Sequence, residues 1–471
     1  MSLSKKIYEL SPIWFQNLMI SLYGYKLIKQ RYGKGYCNAL EFYKNKDNSD
    51  IKEELSMQNK ELQKLVQYSV KNSIFYKNFY KNIDIEKIKT IDDLQYLPIL
   101  EKEMLRSNLN DIYTLTDKDG IPSFTGGTTG KSLKVFFTKN DFQKRMAYLD
   151  AFKYRVGIDT FKTKKATFSG RSFITKNIFS NKKIFWRYNF MYKQKLYSTF
   201  DMLEENLPLY IADLNSFKPD VLNGFVSALY ELAKYVERTD AKLSFIPKAI
   251  FTTSETLLPL HRGVIENIFK CKIYNQYASA EGAPFVTECK NGNLHYNIDT
   301  GIIEIVNSGG GDEILVTSFT TYGTPLIRYR IGDKIKFKSG GCKCGSSHPL
   351  VESIEGRKVE YLYSLERGKV SLSHLADVIK GLPNSVKSIQ FVQNNINCIT
   401  INIVIDKEFY SDTMDKIILD EMLLRFGSKT IFDIVKIDKI PKSKGGKFSF
   451  IQNNLSNQDL ERVQRTLHPT E

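Results

Sequence analysis

No stretch of this 471-residue chain is long and apolar enough to cross a bilayer. Its first residues, Met1-Ser2-Leu3-Ser4-Lys5-Lys6, lack the apolar core and small-residue cleavage site of a secretory signal. The expected compartment is the cytoplasm, at the inner face of a membrane if the chain meets one through its substrate. Cysteine is sparse, with six residues (Cys37, Cys271, Cys289, Cys342, Cys344 and Cys398). Without a secretory signal these are expected to be reduced, which favours metal ligation over a disulfide framework. There is no arginine-rich tail, nucleic-acid-binding motif, internal repeat or extended low-complexity segment, so nucleic acid is not an expected partner. No Ser-His-Asp arrangement can be read from the spacing. What is abundant is positive charge, +16 overall, which suits phosphorylated ligands or anionic lipid. A hydrophobic content of 42% and a charged content of 25% are those of an ordinary globular protein, and the length implies two or three domains.

Residues 1–110 read as largely helical. The apolar stretch 13–28, containing Trp14, Leu18, Ile20 and Leu22 and followed by Lys29 and Arg31, is expected to be a first helix docked on the protein's own core. The alternative is an amphipathic helix resting on a membrane surface. Leu55–Tyr80 and Asp220–Val236 have helical periodicity, as has Leu257–Phe269. Lys248–Thr252 and Lys272–Tyr277 read as strands, and this alternation implies α/β layers. From Gly301 the chain turns β-rich. A boundary is expected near Gly356, and Ile399, Ile401, Ile403 and Ile405 beyond it follow the two-residue strand period. The helix Tyr410–Phe426, closed by Gly427, and the strand Ile434–Ile437 complete a small α+β unit. The fold class is thus α/β. A large N-terminal multi-layer domain with a β-rich subdomain (1–356) is joined by a hinge to a small mobile α+β domain (357–471).

Four short stretches carry the chemistry. The first is the loop Thr125-Gly126-Gly127-Thr128-Thr129-Gly130-Lys131. Its glycines allow close approach of backbone N–H groups to an anion, and its hydroxyls add donors, so it suits a polyphosphate. It is not a Walker A loop, because Thr125 stands where the first glycine would be. The others are Asn275-Gln276-Tyr277-Ala278-Ser279-Ala280-Glu281-Gly282, Arg328-Tyr329-Arg330-Ile331-Gly332-Asp333 and Pro441-Lys442-Ser443-Lys444-Gly445-Gly446-Lys447-Phe448, with Gly356-Arg357 between the last two. Their order and spacing, over roughly residues 90–450, resemble the adenylate-forming superfamily of acyl-CoA synthetases, adenylation domains and luciferases. The phenylacetate–CoA ligase-like branch, which includes capsular polysaccharide biosynthesis proteins, is the most similar.

The resemblance implies ATP-dependent conversion of a carboxylate to an acyl-adenylate with release of pyrophosphate, then transfer to a coenzyme A thiol or to an amine, which in the polysaccharide branch could be carried by a sugar. By the same resemblance Thr125 to Lys131 would hold the β- and γ-phosphates, and Glu281 would bind Mg²⁺. Tyr277, beside Ala278 and Ser279, would stack on adenine. Asp333 would accept hydrogen bonds from the ribose hydroxyls, as carboxylates beside a ribose do. Arg357 would contact phosphate or ribose, and Lys447 would bridge the attacking carboxylate and the α-phosphate. The chain departs from the family at Ala280, which lacks a hydroxyl that commonly touches the α-phosphate, at Ala278, which replaces a glycine, and at Val359, where the hinge usually carries Asp or Lys. The Ala280 and Val359 departures keep open a catalytically silent nucleotide-binding homologue. A basic membrane-surface or nucleic-acid-binding protein is the remaining alternative. The acyl pocket is expected near residues 220–256 and 275–282, including Phe225, Ser254 and Glu255.

Cys289 and His295 flank the turn signal Asn291-Gly292, and Cys342 and Cys344 follow Gly340-Gly341. Three thiols and one imidazole on two turns make a candidate tetrahedral structural zinc site, with His348 as the alternative fourth ligand. The ligase branch often carries such a Cys-x-Cys-Gly pattern before its hinge. His261 is expected to be solvated or capping, and His374 and His468 show no partner in the sequence.

Overall fold

The computed structural model describes residues 7–45, 50–116, 118–125, 133–169, 183–307, 312–355, 361–371, 374–375, 378, 385–405, 407–408, 410–411, 413–438, 440, 451–456, 458–459 and 461. The N-terminal part is helical, with long helices at Ile13–Arg31, Lys34–Asn45 and Ile51–Asn72. The third begins where the Asp50 carboxylate accepts the Lys52 N–H at 3.1 Å, with Glu53 and Glu54 in its first turn to complement the dipole. It ends at Ser73, whose hydroxyl caps a second short helix, Ile74–Phe79. The expected helix over Leu55–Tyr80 is therefore two helices with a break at a capping serine.

Two sheets form the body. One has six strands, in the order Trp186–Asn189, Gln194–Ser198, Lys165–Ser169, Val221–Phe225, Ala249–Thr253 and Ile273–Tyr274. All neighbours are parallel except the first pair. Helices Leu207–Phe217, Val226–Thr239 and Pro259–Phe269 connect and cover it through Leu214, Leu229, Leu232, Ile265 and Phe269. The segment Asp220–Val236, expected as one helix, is instead the strand Val221–Phe225 followed by a helix. A strand flanked by parallel partners and buried on both faces is continuously apolar, and over five residues that pattern cannot be told from a helix face.

The second sheet has seven antiparallel strands, in the order Gly301–Asn307, Asp312–Ser318, Tyr329–Lys338, Leu350–Glu355, Leu294–Tyr296, Val286–Glu288 and Gln276–Tyr277. The N-terminal helices pack on it in a shared core that includes Leu62, Leu65, Leu100, Val316 and Tyr329. The single strand expected over Lys272–Tyr277 breaks at Asn275, and its two halves belong to different sheets. A separate core, from Leu362 to Ile451, fills a four-stranded sheet and the helix Thr413–Phe426, which ends at Gly427 with φ +84°. Ile399, Ile401 and Ile403 are the buried alternate residues of its strand Cys398–Ile405. The expected boundary at Gly356 lies outside the described residues.

The two parts meet at a polar and aromatic seam. His374 Nε2 lies 2.8 Å from Thr199 Oγ1, and its ring packs against Phe200 and Phe225. Arg425 donates to the His374 carbonyl at 2.8 Å and lies over the Phe200 ring, while Arg367 pairs with Asp201 at 2.6 Å. His374, without a visible partner in the sequence, is thus buried between elements far apart in the chain. His261 packs against the Tyr230 ring rather than capping a helix.

Candidate active site

The second of the four stretches crosses from one sheet to the other, with Tyr277 half-buried and Glu281 buried just beyond the crossing. Tyr277 pairs with Val286 in the antiparallel sheet, and its hydroxyl donates to Asp333 Oδ2 at 2.8 Å. Burial, reinforced by the Asp333 carboxylate, holds the phenol well above its ordinary range. Asp333 is presented by an irregularity in its strand. Glu313 faces Lys334 and Leu315 faces Arg330, so Ile331-Gly332-Asp333 stand opposite one residue. Gly332, at φ +86°, supplies the left-handed backbone that this bulge needs. Arg328 and Arg330, from the same stretch, are used in the fold, paired with Glu304 at 2.9 Å and with Glu101 and Glu313 at 3.0 and 3.1 Å.

Glu281 is buried and faces Lys102 Nζ at 3.5 Å. A cation therefore already sits against this carboxylate, the position that a divalent ion would take, and the oxygen donor suits Mg²⁺. Lys102 opens a short helix distant in sequence, and nothing in the chain's pattern singles it out. The turn carrying Glu281 is fixed from several sides. The Ser279 hydroxyl accepts the N–H groups of Gly282 and Ala283 at 3.1 and 3.0 Å. Buried Arg145 donates to the carbonyls of Gly282 and Ala283 at 3.0 and 3.2 Å, and Ser318 donates to the Gly282 carbonyl at 2.6 Å. Gly282 has φ +106°, and a Cβ there would lie 2.4 Å from Thr321 Cγ2, so only glycine fits. Ala278 is exposed and keeps a negative φ, so its place needs no glycine.

The phosphate loop starts from a hairpin, Ile121–Phe124 against Lys134–Phe137. Thr125 and Leu133 close its base. The Thr125 N–H donates to the Leu133 carbonyl at 3.0 Å, and the Leu133 N–H donates to Thr125 Oγ1 at 2.9 Å. Ser123 Oγ donates to the Ala280 carbonyl at 2.9 Å, which ties this hairpin to the Glu281 turn. The base of the loop, Glu281, Tyr277 and Asp333 are thereby linked through one bonded framework. Gly126, Gly127, Thr128, Thr129, Gly130 and Lys131 lie outside the described residues, as do Arg357, Val359 and Lys447.

Beside the parallel sheet, Phe225 is buried and Ser254 is exposed at φ +66°. Glu255 accepts the Ser227 N–H and hydroxyl at 2.7 and 2.9 Å, which satisfies a donor in the first turn of Val226–Thr239.

Cys289, His295, Cys342 and Cys344 place their ligand atoms within 4.8 Å of one another. Cys289 Sγ and Cys342 Sγ are 3.7 Å apart, close to the roughly 3.8 Å edge of a tetrahedron with zinc–sulfur bonds of about 2.3 Å. His295 Nε2 faces Cys344 Sγ at 3.4 Å, while its Nδ1 is held 3.0 Å from the His348 carbonyl, which orients the imidazole for Nε2 ligation. The Asn293 amide donates to Cys342 Sγ at 3.3 Å. Against the opposing effect of burial, the backbone N–H and thiol of Cys344, His295 and Asn293 lower the Cys342 pKa; burial raises that of Cys344. The His348 ring points elsewhere, between Glu54 and Asp299 at 3.4 and 3.7 Å, so it is not the fourth donor. Cys37, Cys271 and Cys398 are outside the cluster.

Comparison with known proteins places this framework. The chain is 37% identical over 454 residues to Protein CapK of Staphylococcus aureus, covering 95% of this chain and 99% of that protein. The chain belongs to the CapK family. Residues 362–454 match the CapK C-terminal domain. The CapK family is a capsule-associated branch of the adenylate-forming superfamily. The chain is also 22% identical over 334 residues to indoleacetate–lysine synthetase of Pseudomonas savastanoi, covering 65% of this chain and 72% of that protein. Among solved structures, 2-hydroxyisobutyryl-CoA ligase in complex with 2-HIB-AMP and CoA in the thioesterification state superposes with a TM-score of 0.54 at 14% identity, covering 90% of this chain and 94% of that one. The shared fold is that of adenylate-forming enzymes, a large N-terminal domain and a small C-terminal domain.

Proposed function

We propose that this CapK-family protein is an AMP-forming ligase that activates a carboxylic acid as its acyl-adenylate and transfers the acyl group to an amine or to coenzyme A. The observation that carries this reading is the bonded framework that gathers Tyr277, Asp333, Glu281 and the base of the Thr125 loop. A nucleotide lying along it has a ring to stack on, a carboxylate for its ribose, a buried carboxylate for the metal of ATP, and a Gly/Thr loop for its outer phosphates. The acid's oxygen attacks the α-phosphorus and pyrophosphate leaves. The acceptor then attacks the acyl carbon and AMP leaves. Mg²⁺ would supply charge neutralisation between the two anions, and Lys447 would supply it at the α-phosphate. The likeness to indoleacetate–lysine synthetase, whose name joins an acid to an amine, supports an amine acceptor. The CapK relationship supports a role in capsule polysaccharide assembly.

Two further assignments belong to this reading. The chain divides near Gly356 into a nucleotide-binding domain and a small domain that brings Lys447 to the site. Zinc held by Cys289, His295, Cys342 and Cys344 is structural, because four protein donors leave no open position. The deciding experiment is carboxylate-dependent ATP–pyrophosphate exchange, screened across amino, aryl and fatty acids. Exchange with at least one acid, lost in Lys447→Ala, is expected. A second reading, a silent nucleotide-binding homologue, is favoured by the engagement of the Ser279 hydroxyl in its own turn beside Ala280, which leaves the usual α-phosphate hydroxyl unreplaced. It predicts ATP binding with no exchange for any acid.

A further inference from the structure

The helix Ile13–Arg31 is docked with its polar side inward. Its buried residues are Gln16, Ile20, Ser21 and Gly24. Gln16 donates to the carbonyls of Tyr8 and Ser11, both at 2.9 Å, and accepts from buried Arg187. Asn17 Oδ1 accepts the Tyr188 N–H at 2.9 Å, and Ser21 Oγ accepts the Phe190 N–H at 3.0 Å. A Cβ on Gly24 would lie 2.7 Å from the Asn189 side chain. These contacts fix the roll of the helix along the edge strand Trp186–Asn189. The opposite face then carries Trp14, Leu18, Leu22 and Tyr25 into solvent at three- and four-residue spacing, with Trp14 67% and Leu22 61% exposed. Phe190 and Met191, in the turn that bonds to Ser21, are exposed beside it.

The surroundings are basic. No acidic residue occurs between Glu9 and Glu41, or between Lys183 and Phe200. Lys26, Lys29, Lys34 and Lys193 are exposed, and the Lys29 ammonium lies 4.6 Å from the Tyr25 ring centre. A second copy of the chain docked through this face would set these cations against themselves with no acid in the patch to pair them. An anionic lipid surface complements both features at once: leucines enter the acyl boundary, Trp14 and Tyr25 sit at headgroup depth, and the lysines meet phosphates. Among the described residues no helix is long and apolar enough to cross a membrane, so this one would lie in the interface.

We propose that the outward face of Ile13–Arg31, with Phe190 and Met191, docks the protein on an anionic phospholipid surface. The inference is independent of the ligase chemistry. The test uses the full chain in flotation with vesicles of phosphatidylcholine containing about 30 mol % phosphatidylglycerol, and with phosphatidylcholine alone. Expected are binding to the anionic vesicles, at least about tenfold weaker binding to the neutral ones, and a similar loss in the double variant Leu18→Glu, Leu22→Glu. That variant should keep the wild-type unfolding temperature. In a Trp186→Phe background, Trp14 is the remaining tryptophan and its emission should shift to the blue on vesicle addition. Absence of flotation, equal binding to neutral vesicles, or wild-type binding by the double variant would overturn the proposal. So would light scattering that shows a dimer dissolved by the double variant without vesicle binding.

Discussion

Asp333 and Tyr277 share one hydrogen bond, and the two side chains have separable tasks. In the proposed nucleotide site Asp333 would offer a carboxylate to a ribose and Tyr277 a ring to a base, while the Tyr277 phenol donates to Asp333. Asp333→Ala is expected to raise the KM for ATP in pyrophosphate exchange by roughly 10- to 100-fold, the range of one or two hydrogen bonds to a charged group. Tyr277→Phe keeps the ring and should raise it only a few-fold. Initial rates against ATP concentration separate the two, and a fall in kcat at unchanged KM would place the pair away from the nucleotide. At this scale Glu281, Tyr277 and Asp333 were singled out by the family resemblance of their stretches, since each taken alone reads as an ordinary turn, helix or core residue. Lys102 was not, because an ion pair between residues far apart in sequence leaves no local pattern.

The elements that hold these residues depart from regularity where function is expected. The bulge at Ile331-Gly332-Asp333 and the tight turn at Gly282 both rest on glycine in left-handed backbone. The Cys/His cluster joins the hairpin of Val286–Glu288 and Leu294–Tyr296 to the loop before Leu350–Glu355, which lie together in the antiparallel sheet. Elemental analysis of the purified chain should find one zinc per molecule, absent from Cys342→Ser. Stripping it with a chelator should lower the unfolding temperature, because the metal would hold the hairpin to the loop only in the folded chain. Ordinary thermal stability after complete zinc removal would show that the cluster has no structural part. The turns around these cysteines announced themselves through Asn291-Gly292 and Gly340-Gly341. The strand Val221–Phe225 and the break at Asn275 did not, since sheet partners rather than local propensity decide them. The first helix was expected to dock on the core and does, but through Gln16, Asn17 and Ser21, a choice that periodicity alone does not reveal.

Across the whole molecule, the order of the motifs made the α/β architecture readable, while the seam between its two parts was not. His374 lies in that seam, and burial, helped by the Arg425 cation, pushes its pKa down to about 3. The unfolded chain takes up a proton near pH 6.5 and the folded chain does not until near pH 3. The contribution of neutral His374 is therefore complete above about pH 6.5 and declines as the pH falls, by roughly 1.4 kcal/mol per pH unit within that window. Denaturant unfolding at pH 7 and pH 5 should show a loss of about 2 kcal/mol from this residue. His374→Gln should flatten that part of the slope, and an unchanged slope would remove His374 as its source.

The crossing at Asn275 has a mechanical consequence. Thr252, on the parallel sheet, touches the Asn275 side chain and accepts the Gln276 amide at its carbonyl. One covalent link and two contacts therefore couple the sheet beside Ser254 to the sheet that carries Tyr277. Two reactants seated one on each sheet would have their separation set by the backbone itself, so neither could drift without bending the peptide that joins their supports.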